Sequence, residues 1–139
     1  MIDLHCHSTF SDGEFSPVQL LEMAAAIGLS ALALTDHDTV AGLPSLLAAE
    51  SGTVTAVPGV EVSALFGSDT LHILGLFVDW RCPELNRFLE PIRSSREERN
   101  RKIVRRLRNL GCDVTEEDVR ARAGEDVVVA DVRERPREG

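Results

Sequence analysis

Apolar residues come in two rhythms along this chain. Through residues 1–80 they gather in short runs, MIDLHCH, SALALTDHD, TAVPGVEVSAL and TLHILGLFVD, each of a length suited to a strand. Helical stretches lie between the first three. Ser16-Pro17-Val18-Gln19 opens one of them with proline at the first helical position and an S-x-x-Q capping box. That helix runs through LLEMAAAI to Gly28, a residue suited to closing a helix in the left-handed conformation. TVAGLPSLLAAESG predicts a second helix, interrupted near Gly42-Leu43-Pro44. The resulting β-α-β-α-β order implies parallel strands joined by helical crossovers, and hence an α/β fold.

From Glu84 the rhythm lengthens. Leu85, Phe88, Leu89 and Ile92, then Ile103, Leu107 and Leu110, mark one long helix closed by Gly111. Thr115 and Asp118 predict the cap of a short helix, TEEDVRARAG. The last segment, EDVVVADVRERPREG, has no period. On this pattern the chain divides into residues 1–83, carrying strands and candidate ligands, residues 84–125, helical, and residues 126–139, a divergent tail expected to fray.

Charge changes the picture in one respect. Residues 1–80 hold ten acids and no lysine or arginine, whereas all fifteen basic residues lie from Arg81 onward. A stretch so charged repels itself unless its carboxylates are solvated or neutralised by bound cations. Solvation is expected for most of them. It fails for Glu61, set between Val60 and Val62 in an apolar strand, where an unpaired carboxylate is costly. No run reaches the ~20 apolar residues of a membrane span, and no basic segment precedes an apolar stretch as in a signal peptide. Three cysteines without C-x-x-C spacing fit a reducing compartment. A cytoplasmic protein with no membrane partner is expected.

The histidines carry the candidate chemistry. His5 and His7 stand two apart on the first strand, so both point to one face with Cα atoms ~6.5–7 Å apart. Cys6 between them faces the core, and Asp12 follows in a loop containing Gly13. His37 ends the second strand and His72 lies within the fourth. A lone strand histidine is usually structural. Four of them converging with Asp12 and Glu61 at the carboxyl ends of strands make a divalent-metal site the better reading. Asp36 and Asp38 flank His37 and point away from it, which marks them as supports, with Asp38 the expected cap of the following helix. Asp3 shares the parity of His5, and its role stays open.

HCHSTFSDG, TDHD, GVEVS and HILG, in this order and spacing, resemble the N-terminal motifs of the PHP (polymerase and histidinol phosphatase) superfamily. The likeness is to its stand-alone phosphoesterase branch, which cleaves nucleotides and RNA or DNA ends, and it covers residues 1 to about 128. It implies a distorted (β/α)7 barrel, of which this chain holds about the first four strands plus a helical insertion. It also implies two or three divalent ions, Mn2+ foremost, with Zn2+, Fe2+ or Mg2+ as alternatives. On that pattern His5 and His7 bind one ion, Glu61 bridges it to a second that His72 also ligates, and Asp12 and His37 serve a third. Glu61, His37 and Asp12 are thereby the catalytic candidates. The implied reaction is hydrolysis of a phosphorylated nucleotide or short oligonucleotide by metal-activated hydroxide.

The sequence leaves the family pattern near Asp126, and no histidine follows His72. A truncated or frame-shifted reading frame is therefore expected, with a half-barrel exposing apolar strand edges. A homodimer that completes the barrel is one way to cover them. Two other functions stand beside the phosphoesterase: a non-catalytic metal-binding remnant or interaction module and, more weakly, an amidohydrolase-type C–N hydrolase.

Residues 93–108 carry eight basic side chains against Glu97 and Glu98. Most such runs are solvated helix faces. The apolar stripe from Ile92 to Ile103, however, passes through Arg96 and Arg99 at helical spacing. Guanidinium matches phosphate bidentately, so this pair is the candidate substrate-binding set, with a stripe broken by an exposed turn as the equal alternative. An extended nucleic-acid groove is disfavoured by the net acidity and the scarcity of aromatic residues.

Overall fold

The computed structural model describes residues 1–50, 52–67 and 69–123; the tail assigned to 126–139 lies outside them. The elements run β1 (Ile2–Cys6), α1 (Pro17–Ala26), β2 (Ala31–Leu34), α2 (Leu43–Ala48), β3 (Thr55–Phe66), β4 (Asp69–Leu76), α3 (Pro83–Asn109) and α4 (Glu116–Ala123). One four-stranded sheet, ordered β1-β2-β3-β4, curls into part of a barrel. β1, β2 and the start of β3 are parallel, as the β-α-β-α-β order requires.

β3 serves two pairings. Thr55–Pro58 lies parallel to β2, with Ala31 opposite Thr55 and Leu34 opposite Pro58. From Gly59 to Phe66 the same strand turns into an antiparallel ladder with β4. Glu61 thus sits just past the end of the parallel pairing, where ligand sites form in such sheets. The ladder places Ser63 opposite His72 and Glu61 opposite Leu74, so Glu61 and His72 are diagonal neighbours on one face.

The core lies under the two crossover helices. Leu32 and Leu34 of β2 pack with Leu21 and Ala24 of α1, Leu43 and Leu46 of α2, and Val60 of β3, and Leu89 of α3 joins them. Both caps read from the sequence form. Ser16 accepts from the Gln19 amide while the Gln19 side chain accepts from the Ser16 amide. At α4, Thr115 Oγ1 accepts from the Asp118 amide and Asp118 returns the contact. The outer strands differ: Ile2 and Leu4 of β1, and Leu71 and Ile73 of β4, are exposed. These are the open edges expected of a half-barrel.

Candidate metal centre

Glu61 is the hub. Its side chain is 5 % exposed, and four imidazole nitrogens surround it. His5 Nε2 and His7 Nε2 each lie 3.0 Å from Oε2, and His37 Nδ1 lies 3.4 Å from the same oxygen. His72 Nδ1 lies 3.0 Å from Oε1. The rings form an arc, with centroids 5.1 Å apart from His5 to His7, 4.6 Å from His7 to His37 and 4.7 Å from His37 to His72. Asp12 extends it, with Oδ1 3.2 Å from His7 Nδ1 and Oδ2 3.7 Å from His37 Nε2.

Local structure explains how each ligand arrives. Strand alternation presents His5 and, just beyond β1, His7 to one face. The loop that follows folds back tightly: the Gly13 amide donates to the Ser8 carbonyl, and a Cβ at Gly13 would lie 2.2 Å from the His7 carbonyl oxygen. Only glycine lets the loop close and bring Asp12 to His7. His37 lies three residues past β2, held by an isolated parallel bridge to Glu61. There the Glu61 amide donates to the Asp36 carbonyl and the Asp38 amide to the Glu61 carbonyl.

The carboxylates flanking His37 do different work on either side. Asp36, buried, accepts from the Ser8 amide at 2.7 Å, Ser8 Oγ at 2.7 Å and Ser11 Oγ at 2.6 Å, which ties the β1 loop to the β2 loop. Asp38 does not cap α2, whose N-cap is Gly42. Its Oδ1 accepts from the Ser63 amide at 2.6 Å, and its Oδ2 lies 2.5 Å from Arg96 Nε. The buried guanidinium takes the carboxylate that a helix cap would have used. Asp3, exposed, accepts from the His5 amide, and Cys6 packs against the core with its thiol pKa pushed up by burial.

The two candidate arginines separate. Arg96 is buried on α3, whereas Arg99 is exposed, and the buried stripe continues through Asn100 to Val104. A 3.6-residue period does not distinguish positions 99 and 100, and packing selects the shorter asparagine. Arg93, half-buried, donates to the Asp38 carbonyl at 3.4 Å.

Titration follows from the geometry. Hydrogen bonding to His7 holds the Asp12 carboxyl down to about 2. Burial works against charging His7, but the Asp12 hydrogen bond and charge, with Glu61 and Asp36, outweigh it and raise its pKa. Burial lowers the pKa of His37. Burial also opposes ionisation of Glu61, yet the surrounding histidines, His5 first, keep its carboxyl below the ordinary range.

The donor set fits divalent cations. His5, His7 and Glu61 form one group, His7, Asp12 and His37 a second, and His37, Glu61 and His72 a third, with ligand atoms in each within 4.8 Å of one another. Imidazole and carboxylate donors together suit Mn, Fe and Zn, and a carboxylate can serve two ions. A single buried carboxylate among four imidazoles has no structural need of so many partners.

Comparison with known proteins gives this centre a lineage. The PHP domain family matches residues 3–113. A 5'-3' exoribonuclease of Haemophilus influenzae is 37 % identical over 129 residues, covering 92 % of this chain and 47 % of the relative. A 3',5'-nucleoside bisphosphate phosphatase of Chromobacterium violaceum is 42 % identical over 111 residues, covering 79 % of this chain and 39 % of the relative. The solved structure of a protein assigned as a metal-dependent phosphoesterase, from Bifidobacterium adolescentis, superposes with a TM-score of 0.85 at 31 % identity, over 92 % of this chain and 46 % of its own. The chain therefore spans less than half the length of these relatives. With the family matched from Asp3 to Asp113 and the barrel strands and histidine cluster in place, this chain belongs to the PHP family.

Proposed function

We propose that this chain carries the metal-binding half of a PHP phosphoesterase centre and acts on phosphoesters of a nucleotide or short oligonucleotide. The observation that supports it is the Glu61 carboxylate, buried and met by four imidazole nitrogens at 3.0–3.4 Å. His5 and His7 would hold one divalent ion with Glu61, His72 a second through the other Glu61 oxygen, and Asp12 and His37 a third beside His7. Mn2+ suits this mixture of nitrogen and oxygen donors, with Fe2+, Zn2+ and Mg2+ as alternatives. Such ions supply Lewis-acid charge for the phosphoryl oxygens and hydroxide near neutral pH.

The chain's own residues divide the remaining work. Glu61 presents its two oxygens to different histidines, so it orients ligands on both sides. Asp12, half-exposed at the mouth and ionised far below neutral pH, is a ligand rather than a proton donor at pH 7. His37, its pKa lowered by burial, is neutral near pH 7 and needs no deprotonation to ligate. A phosphate approaching residues 1–80 meets no lysine or arginine of that segment, so bound cations and the arginines of α3 are its main source of offsetting charge. Exposed Arg99 is the substrate-binding candidate. Arg96, with its contacts to Asp38 and Ser63, is the weaker one.

The relatives support this substrate class, one being a nucleoside bisphosphate phosphatase and another an exoribonuclease. A second reading is favoured by the exposed apolar residues of β1 and β4: a metal-binding module that becomes competent only when a second copy covers those edges. One experiment addresses both. Phosphate release from a 3',5'-bisphosphorylated nucleotide with Mn2+ is measured beside a His5→Ala, His7→Ala double variant, with light scattering on the same samples. Release by the parent and not by the variant supports the phosphoesterase, and its confinement to a dimer supports completion by a second copy. Equal release from both samples rejects the proposed site.

A further inference from the structure

The Arg96–Asp38 pair spans from α3 to the ligand loops, and its connections run in one direction. Asp38 is wholly buried and Arg96 nearly so, with Nε–Oδ2 at 2.5 Å. Arg96 Nη2 also donates to Ser63 Oγ, while the Ser63 amide donates to the other Asp38 oxygen. Arg93 donates to the Asp38 carbonyl from one turn earlier on α3. Asp38 adjoins His37, and Ser63 is two residues from Glu61, so every bond in this set ends beside a ligand. Asp38 also adopts a left-handed backbone, φ +55°, a conformation that costs energy in a non-glycine residue and persists when its surroundings enforce it. Asp38 itself belongs to none of the three ligand groups found among the described residues.

We propose that Arg96 and Asp38 are a positioning pair through which α3 holds His37 and Glu61 in register, and so sets the affinity of the metal groups that contain His37. The inference rests on the proposed metal centre and concerns what holds it. Groups that orient ligands from behind change metal affinity by about 10–100-fold when altered. The two charges also neutralise each other: a guanidinium buried on α3 needs a carboxylate, and removing either partner would leave a buried charge.

The test uses the full chain with Arg96→Lys, Asp38→Asn and the double variant Asp38→Asn, Arg96→Gln, which removes both charges together. Co2+ is titrated in while the visible d–d absorption and the heat of binding are followed, and melting of the metal-free proteins is recorded alongside. Binding of a phosphate competitor is measured on the Co2+-loaded forms. The expected result is folded metal-free variants whose affinity falls about tenfold or more at the sites containing His37. The spectrum of those sites changes, the site of His5, His7 and Glu61 is affected less, and Arg96→Lys changes least of the variants.

Three outcomes overturn the inference. Unchanged Co2+ affinity and spectrum with weakened phosphate binding would make Arg96 a substrate residue. Loss of folding in the double variant as well as the singles would mean that the pair holds the fold and not the site. Failure of the parent chain to bind Co2+ would remove the metal centre itself, which separates failure of that reading from failure of this one.

Discussion

Two buried carboxylates, Glu61 and Asp38, lie within one hydrogen bond of each other's backbone and have opposite surroundings. Asp38 faces a permanent cation and a backbone amide, and its charge is matched whatever the solution contains. Glu61 faces four imidazoles, and all present nitrogen donors toward the same small volume. A carboxylate closed off by arginine fixes structure. One ringed by titratable donors is arranged for a divalent ion. The chain carries both kinds side by side in space, the first bracing the second.

Breaking the bracing carboxylate, Asp38, gives the largest effect on folding. Asp38→Ala strands a buried guanidinium and is expected to cost about 3–5 kcal/mol in urea unfolding of the metal-free chain. Asp36→Ala removes three short hydrogen bonds between the β1 and β2 loops, with an expected loss of about 2–3 kcal/mol by the same measurement. Glu61→Gln behaves differently. It leaves the metal-free chain folded but removes stabilisation by added metal, which for the parent amounts to about 2.7 kcal/mol at a hundredfold excess over the dissociation constant. Melting curves with Mn2+ and with a chelator separate these cases.

A smaller effect depends on pH. The Asp12 carboxyl lies at about 2 against an ordinary 3.8, so its contribution is present above 3.8 and lost as pH falls toward 2. His7 is shifted up from 6.5, so its contribution is present below 6.5 and lost as pH rises through its folded value. The metal-free chain therefore draws on this pair most between about pH 4 and 6.5. Asp12→Asn should lower the melting temperature within that window in chelator and flatten its fall on either side. Lys102→Ala, which removes an exposed pair with Glu98, is the smallest change, within about 0.5 kcal/mol in urea.

Much of the site was legible because its signals are local. The i, i+2 spacing of His5 and His7, the capping boxes of α1 and α4, and the cost of Glu61 between two valines each need only a few residues of context. What escaped depends on tertiary pairing. No periodicity reveals that β3 changes from a parallel to an antiparallel partner at Gly59, the change that makes His72 a diagonal neighbour of Glu61. The bond from Asp38 to Arg96 joins residues 58 positions apart and leaves no local signal, so from sequence a helix cap was the expected role of Asp38. The placement of Arg99 outside and Asn100 inside turned on one residue of helical phase.

The most direct measurement is calorimetric titration of Mn2+ into the metal-free chain and into its Glu61→Gln variant. The account predicts saturable binding by the parent that the variant loses by about a hundredfold or more, the variant remaining folded. Equal binding by both proteins, or no binding by the parent, would contradict it: the four histidines would then be packing around a carboxylate and nothing more.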